Sequence, residues 1–480
     1  MFIGRKSELG QLKTCFSAKR STITVIYGRR RIGKSSLIAQ AAKGFRFFSF
    51  EGLENQSNSA QKKIIIEQLK GYGVSLSLSK AASWYEILSH LSDLIDPHET
   101  TIILLDELQW LAHYRSELVS NIKIIWDSIL AKHQNLKLVL CGSVASFMVK
   151  KVIRSKALYG RCDISIHLQP FKLHETRELL GAKSIEEVTL AHLLVGGVPK
   201  YLDLLTDKSS VVLSLAFHCQ GLNTYFAGEY ERIFVSHFGK DSQYDKIVRY
   251  LNSRLYGASR AEISTELRLP NSGMLTEALN NLEYAGIIQS VVPFHKKINT
   301  QKRFLLVDHY IRFYLTFLEP LKLKGELARL DFVNQVFNTP KMSSWLGLSF
   351  ELLCLQHHAE IAIALGFAAV RYQVGPYYQV SSKYNSRGFQ LDLVYKRSDK
   401  VFTVCEVKYQ VNVGSLNVAK KLDQAIQEAP ELRNKTIQKV LINAASTKTD
   451  LADGIHFSRV LSPEDLCQVA SWGNTHGPAF

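Results

Sequence analysis

The nine residues GRRRIGKSS at 28–36 constrain this chain more than any other stretch. They follow STITVIY, a run suited to a buried strand, and precede SLIAQAA, a run suited to a helix. The pattern G-x-x-x-x-G-K-[ST] is complete in Gly28, Gly33, Lys34 and Ser35, with Ser36 next in line. Glycines at these positions let backbone N–H groups turn toward phosphates, and the helix start adds partial positive charge. Lys34 is then expected to reach the β- and γ-phosphates of ATP, and Ser35 to hold Mg²⁺. A strand, loop and helix of this kind predict a parallel α/β sheet.

Such a site needs an acidic residue at the end of a second buried strand. TIILLDELQWL supplies Asp106 on the Mg²⁺ side and Glu107 to polarise an attacking water. In LKLVLCGSVASF, Ser143 lies just past a third strand, where strand ends gather around a ligand. It is a candidate γ-phosphate sensor or water-orienting group, and a helix cap is the plainer alternative. Arg161, in LYGRCD, suits a phosphate of its own site or, in a homo-oligomer, of a neighbouring one. An exposed structural arginine is the competing reading.

The segments FIGRKSEL, LLDELQWL, LCGS, LYGR and GGVPKYL, with the phosphate loop, resemble the AAA-like signal-transduction (STAND-type) ATPases common in archaea and bacteria. The resemblance covers about 1–320. It implies that Gly4 and Arg5 lie near the nucleotide, and that Gly196, Gly197, Pro199 and Tyr201 belong to a helical lid. It names no cellular role, because relatives regulate, remodel and defend.

With 480 residues the chain needs more than one core. Its net charge of +16 makes DNA the first candidate partner, with an anionic membrane surface behind it. Seven isolated cysteines without metal-ligand spacing fit a reducing, cytoplasmic setting. MFIGRKSELGQLK lacks the apolar run of a signal peptide, and no stretch is long and apolar enough to span a bilayer.

Beyond Pro170 the pattern turns helical, and His174, His192 and His218 carry no ligand spacing, so all three read as structural. Over 242–308, three helices and a hairpin describe a winged helix-turn-helix, with a recognition helix at about 272–285. The hairpin carries Lys296, Lys297, Lys302 and Arg303, suited to phosphates, whereas the helix is poor in long basic residues. In STAND-type proteins such a domain often packs on the ATPase core.

The tail combines a helix containing Glu351 with two strands, QLDLV and VFTVCEVKY. Glu406 and Lys408 are two apart and share a strand face, and Asp392 can meet them across the ladder. Asp392 and Glu406 could bind Mg²⁺, Glu351 could complete the shell, and Lys408 could act on water or on the scissile phosphate. Lys420, Lys421 and Gln424 follow within about one turn of a later helix. A carboxylate–lysine pair on a solvated sheet is the bland alternative.

This constellation, at about 340–445, resembles the PD-(D/E)xK nuclease superfamily, although no proline precedes Asp392. The resemblance implies metal ligation by Asp392 and Glu406, the catalytic lysine at Lys408, the first-helix acid at Glu351 and a glutamine at Gln424.

The expected architecture is therefore α/β: an AAA-like P-loop NTPase core at 1–165, a helical lid at 166–238 and a winged helix at 239–320. A linker at 321–338 leads to a restriction-endonuclease-like α/β domain at 339–480. The expected activity is an ATP-hydrolysing DNA nuclease dependent on Mg²⁺, of use in repair or mobile-element defence. The alternatives are a non-cleaving STAND-type regulator and a protein-remodelling ATPase.

Overall fold

The structure, a computed structural model, describes residues 2–75, 82–112, 117–220, 224–238, 242–292, 302–327, 331–379, 388–409, 415–445 and 456–468. The chain divides into two compact units, Met1–Pro170 and Phe171–Phe480.

In the first unit, strands β1 (Thr22–Tyr27), β2 (Arg46–Glu51), β3 (Thr101–Asp106), β4 (Leu136–Gly142) and β5 (Cys162–His167) form one sheet. Their order is β2-β3-β4-β1-β5, and every pairing is parallel. A parallel sheet needs crossovers that cover both faces, so its central strands are apolar throughout rather than alternating. Strand β3 divides its side chains accordingly: Ile103 and Leu105 enter one core with Trp84, Ile87 and Ile125. Ile102 and Leu104 enter the other, with Leu37, Ile38 and Val139. Truncating one of these, such as Leu104→Ala, would cost about 2–5 kcal/mol.

The second unit begins with helices Leu173–Leu180, Ile185–Val195, Pro199–Leu204, Val211–Cys219 and Tyr225–Phe238. Helices Ser242–Asn252, Arg260–Glu266 and Gly273–Tyr284 follow. With them stands an antiparallel sheet of β6 (Ala258–Ser259), β7 (Ile288–Val291) and β8 (Arg303–Leu306), in the order β6-β8-β7. Lys296 and Lys297 lie outside the described residues.

A second five-stranded sheet contains β9 (Tyr372–Gln379), β10 (Phe389–Arg397), β11 (Val401–Lys408), β12 (Thr436–Asn443) and β13 (Arg459–Leu461). It runs in the order β13-β12-β11-β10-β9, antiparallel from β9 to β11 and parallel from β11 to β13. Helix Ser415–Glu428 contributes Val418, Ala419 and Leu422 to one covered face, against Leu391, Val394 and Val404.

The stretch 321–338, expected as a linker, is not an open tether where it is described. Helix Phe332–Val336 buries Phe332 and Val336. Apolar residues at both ends of five make one packed helical turn, a pattern too short to stand out in sequence.

Candidate functional site

The first site forms where β1, β3 and β4 end together. Gly28 leaves β1 at φ 148°, and a Cβ there would collide with the Leu168 carbonyl, so only glycine fits. Arg31 and Gly33 also take positive φ, 70° and 86°, as the chain turns into helix Lys34–Ala41. Gly33 is the N-cap and offers no side chain to the first amides, which are thus presented to an anion.

Lys34 is buried, and its ammonium donates to the carbonyls of Gly28 and Arg29, 3.1 Å each. Ser35 Oγ donates to Asp106 Oδ2 at 2.7 Å, pairing the two groups expected around Mg²⁺. Ser36 is exposed in the first turn of the same helix. Gly4 and Arg5 both adopt positive φ, and buried Arg5 donates from Nη2 to the Ile32 carbonyl at 3.2 Å. The N-terminal segment therefore braces the phosphate loop from behind.

Glu107 sits at φ 48°, a conformation that costs about 1–3 kcal/mol and is concentrated at functional sites. Its Oε2 accepts from Ser143 Oγ at 2.7 Å and from the Gln109 amide. Gln109 also donates to Ser143 Oγ at 3.0 Å and accepts from the Ser143 backbone N–H at 3.2 Å. Ser143 is thus a partner of Glu107, and the pair orients the carboxylate expected to act on water. Gln109 went unnoticed in the sequence, although its place in DELQ, three after Asp106, was the available signal.

Glu51 was also missed. It lies opposite Asp106 in the β2–β3 register. Burial, then repulsion from Asp106 and Glu107, raises its carboxyl above the usual range. Arg161 is held elsewhere: its guanidinium grips Asp127 through two bonds of 2.8 and 2.9 Å. The structural reading fits this geometry, because a phosphate would have to break that fork.

The second site lies in the second unit, where helix Pro340–Gln356 meets β10 and β11. Leu393 pairs with Cys405, which brings Asp392 beside Glu406. The β9–β10 register shifts between Leu391 and Val394, the interval that contains Asp392. Asp392 Oδ2 accepts from the Val407 N–H at 2.8 Å. Gln390, two residues earlier on the same face, donates to Asp392 Oδ1 at 3.1 Å and to Glu351 Oε2 at 3.3 Å. Lys408 Nζ lies 2.6 Å from Glu406 Oε1.

The electrostatics join these side chains into one neighbourhood. Burial, then Glu351 and Glu406, pushes the Asp392 carboxyl well above its usual range. Burial also raises Glu351, with Lys408 the largest opposing influence. Lys408 is raised in net terms, its burial outweighed by Glu406, Asp392 and Glu351 together.

The metal shell expected at Glu351, Asp392 and Glu406 is not preformed. Among the described residues, no group of three or more His, Cys, Asp or Glu side chains is arranged to hold a metal ion. The Lys408 ammonium lies against Glu406, and the Gln390 amide stands between the other two carboxylates. Lys420, Lys421 and Gln424 lie on the later helix, Ser415–Glu428. They are exposed, on the side of their helix away from Val418 and Leu422, which pack on the sheet.

On the three-stranded sheet, Arg303 is engaged by the protein. It pairs with Glu262 at 3.0 Å and donates to the carbonyls of Tyr256 and Gly257. Lys302 lies 3.9 Å from Glu283. Of the histidines, His192 packs edge-on against His309 and His357 and meets Thr176 at 2.9 Å.

Residues 2–205 match the family described as an ATPase domain predominantly from Archaea. The front of the chain is accordingly an ATP-binding, ATP-hydrolysing P-loop domain. An uncharacterized protein of Methanocaldococcus jannaschii is 24% identical over 419 residues, 85% of this chain and 88% of the relative. The Walker-type ATPase of Pyrococcus abyssi is similar in structure, with 20% identity and a TM-score of 0.48, over 65% of this chain and 96% of that one. The ORC2 protein of Aeropyrum pernix gives 14% and 0.42, over 68% and 95%. Among the described residues, no helix is long and apolar enough to cross a membrane.

Proposed function

We propose that this chain is an ATP-dependent DNA-processing enzyme whose second site is a metal-dependent phosphodiesterase. The convergence of Glu351, Asp392, Glu406 and Lys408 from one helix and two strands carries the reading. Three carboxylates crowded around one ammonium, partly out of water, suit a hard divalent cation. Asp392 and Glu406 would hold Mg²⁺, with Glu351 adjacent. The ion would supply charge neutralisation at the scissile phosphate and a more acidic water. Lys408 would stabilise the charge that gathers on the phosphate as the bond to the leaving oxygen breaks. In this reading the helices after Phe171 act as a lid, and the segment around Gly273–Tyr284 acts as a winged helix.

At the first site, Lys34 and the loop amides would hold the ATP phosphates, and Ser35 and Asp106 would hold Mg²⁺. Glu107, oriented by Ser143 and Gln109, would align the attacking water. Coupling the two sites would suit repair or defence against mobile elements, where unrestrained cutting harms the host.

The unformed metal shell favours a second reading, a STAND-type regulator that binds DNA without cutting it. Incubating the full chain with linear, circular and single-stranded DNA, with and without Mg²⁺ and ATP, separates the two. The enzyme reading expects Mg²⁺-dependent cutting that a chelator stops. DNA binding without cutting in any metal or nucleotide condition would leave the regulator.

A further inference from the structure

A cavity of about 430 Å³ opens beside the second site, wholly within the second unit. Glu351, Gln390 and Asp392 line one wall. The opposite wall comes from residues 251–256, ahead of β6, and from Arg303 and Leu305 of β8. Arg312, Lys341 and Trp345 also line it. Two of the candidate carboxylates, Glu351 and Asp392, therefore face this cavity.

The volume falls in the range of small-ligand pockets, about 300–1,000 Å³. It suits one nucleotide. A duplex, whose major groove alone is about 12 Å wide, cannot enter it. The lining chemistry fits a nucleotide as well. Tyr256 and Tyr378 stack on each other with centroids 5.2 Å apart, and Tyr256 is exposed. Aromatic faces of this kind bind bases without regard to sequence.

Arg312 gives the chamber its charge. Its guanidinium lies 6.0 Å from the centre of the Trp345 ring and makes no side-chain hydrogen bond or ion pair with any described residue. By contrast, Arg303 and Lys341 are bound to backbone carbonyls. Burial lowers Arg312 to about 10, with Glu351 the opposing influence, so it keeps its charge at neutral pH. A desolvated guanidinium with unused donors, next to carboxylates, is suited to a phosphate.

We propose that the chamber seats one unpaired nucleotide of a DNA strand, with Arg312 binding its phosphate beside Asp392 and Glu351. The inference rests on the phosphodiesterase reading and narrows its substrate to single strands or unpaired ends. A continuous duplex is excluded.

The test uses the full chain. Fluorescence anisotropy in a chelator reads binding of a short oligothymidylate against a covalently closed duplex minicircle, which has neither ends nor unpaired loops. Cleavage of both in Mg²⁺ is read separately. The oligothymidylate should bind at least about tenfold tighter, and Arg312→Ala should remove about tenfold of that affinity, partly restored in Arg312→Lys. If Arg312→Ala unfolds, Ser253→Trp on the exposed rim should block the chamber and give the same loss. Equal binding of both DNAs, or unchanged single-strand binding in both variants, would overturn the inference. Cutting of the closed duplex as fast as the single strand would overturn it and leave the phosphodiesterase reading standing. Arg312-dependent binding without cleavage would overturn that reading and support the nucleotide seat.

Discussion

The two candidate sites gather their polar and charged groups by opposite means. The first is built from backbone. Its positive-φ loop and uncapped helix start present amides, and its lysine and serine are already held in place by Gly28, Arg29 and Asp106. The second is built from side chains brought together across about 57 residues of sequence, from Glu351 to Lys408. Its carboxylates repel one another, and that repulsion is eased by Lys408, the Gln390 amide, the Val407 N–H and the charge of Arg312. A backbone site is specified locally, whereas a side-chain site of this kind depends on the packing of distant elements and stores unfavourable charge.

The largest expected effect tests whether the second site acts as a unit. Asp392→Ala or Glu406→Ala should each reduce DNA cleavage by about 10³-fold, with the double variant no worse, while ATP hydrolysis is unchanged. Cleavage assays on the four proteins check this, and additive losses would break the idea of a single unit. At the first site, Lys34→Ala should weaken ATP binding by about 100-fold, measured by calorimetry, because charge-assisted bonds to phosphate disappear. A change in metal-dependent cleavage without ATP would show that the sites are not separable.

A smaller effect sharpens the role of the Glu107 network. Ser143→Ala should slow ATP hydrolysis by about tenfold and leave ATP affinity nearly intact, because it loosens an orienting hydrogen bond. A loss of affinity instead would make Ser143 a phosphate ligand.

The smallest effect contrasts the stabilities of the two units. Burial lowers His309 from 6.5 to about 4, and lowers His192 and His357 well below their usual value. The unfolded chain takes up these protons near 6.5, so stability is full above that pH and is lost as pH falls toward 4. For His309 the loss is about 1 kcal/mol in going one pH unit below 6.5. Neighbouring Glu351 and Asp392, both raised, act in the opposite sense. The informative quantity is therefore the difference between wild type and His309→Gln in thermal unfolding at pH 7.5 and 5.5. The variant should lose less on acidification, and identical shifts would remove His309 as the cause.

The first site was almost wholly legible because its information is contiguous. A strand, the loop from Gly28 to Gly33 and a helix start fix the phosphate loop, and the DE pair after a buried run fixes its acidic partner. Gln109 escaped because a polar residue in a four-residue helix carries no periodicity. Arg161 was ambiguous because its partner, Asp127, sits on a separate helix. At the second site, strand alternation was enough to bring Asp392, Glu406 and Lys408 together. The same alternation would have included Gln390. Residues Lys420, Lys421 and Gln424 are exposed on their helix, and proximity in sequence alone does not say what such side chains meet. Arg312 and Tyr256 were invisible, as they reach the chamber only through the tertiary arrangement of the second unit.

The buried helix Phe332–Val336 bears on how this protein can be taken apart. A cut just before it, intended to free the residues that follow, would part Phe332 and Val336 from helix Val211–Cys219, against which this helix packs, and expose apolar surface on both pieces. The whole of Phe171–Phe480 is then the smallest portable piece of the back half. Recombination in evolution would have to move it as a block, and a designer wishing to graft it onto another ATPase should splice at Pro170.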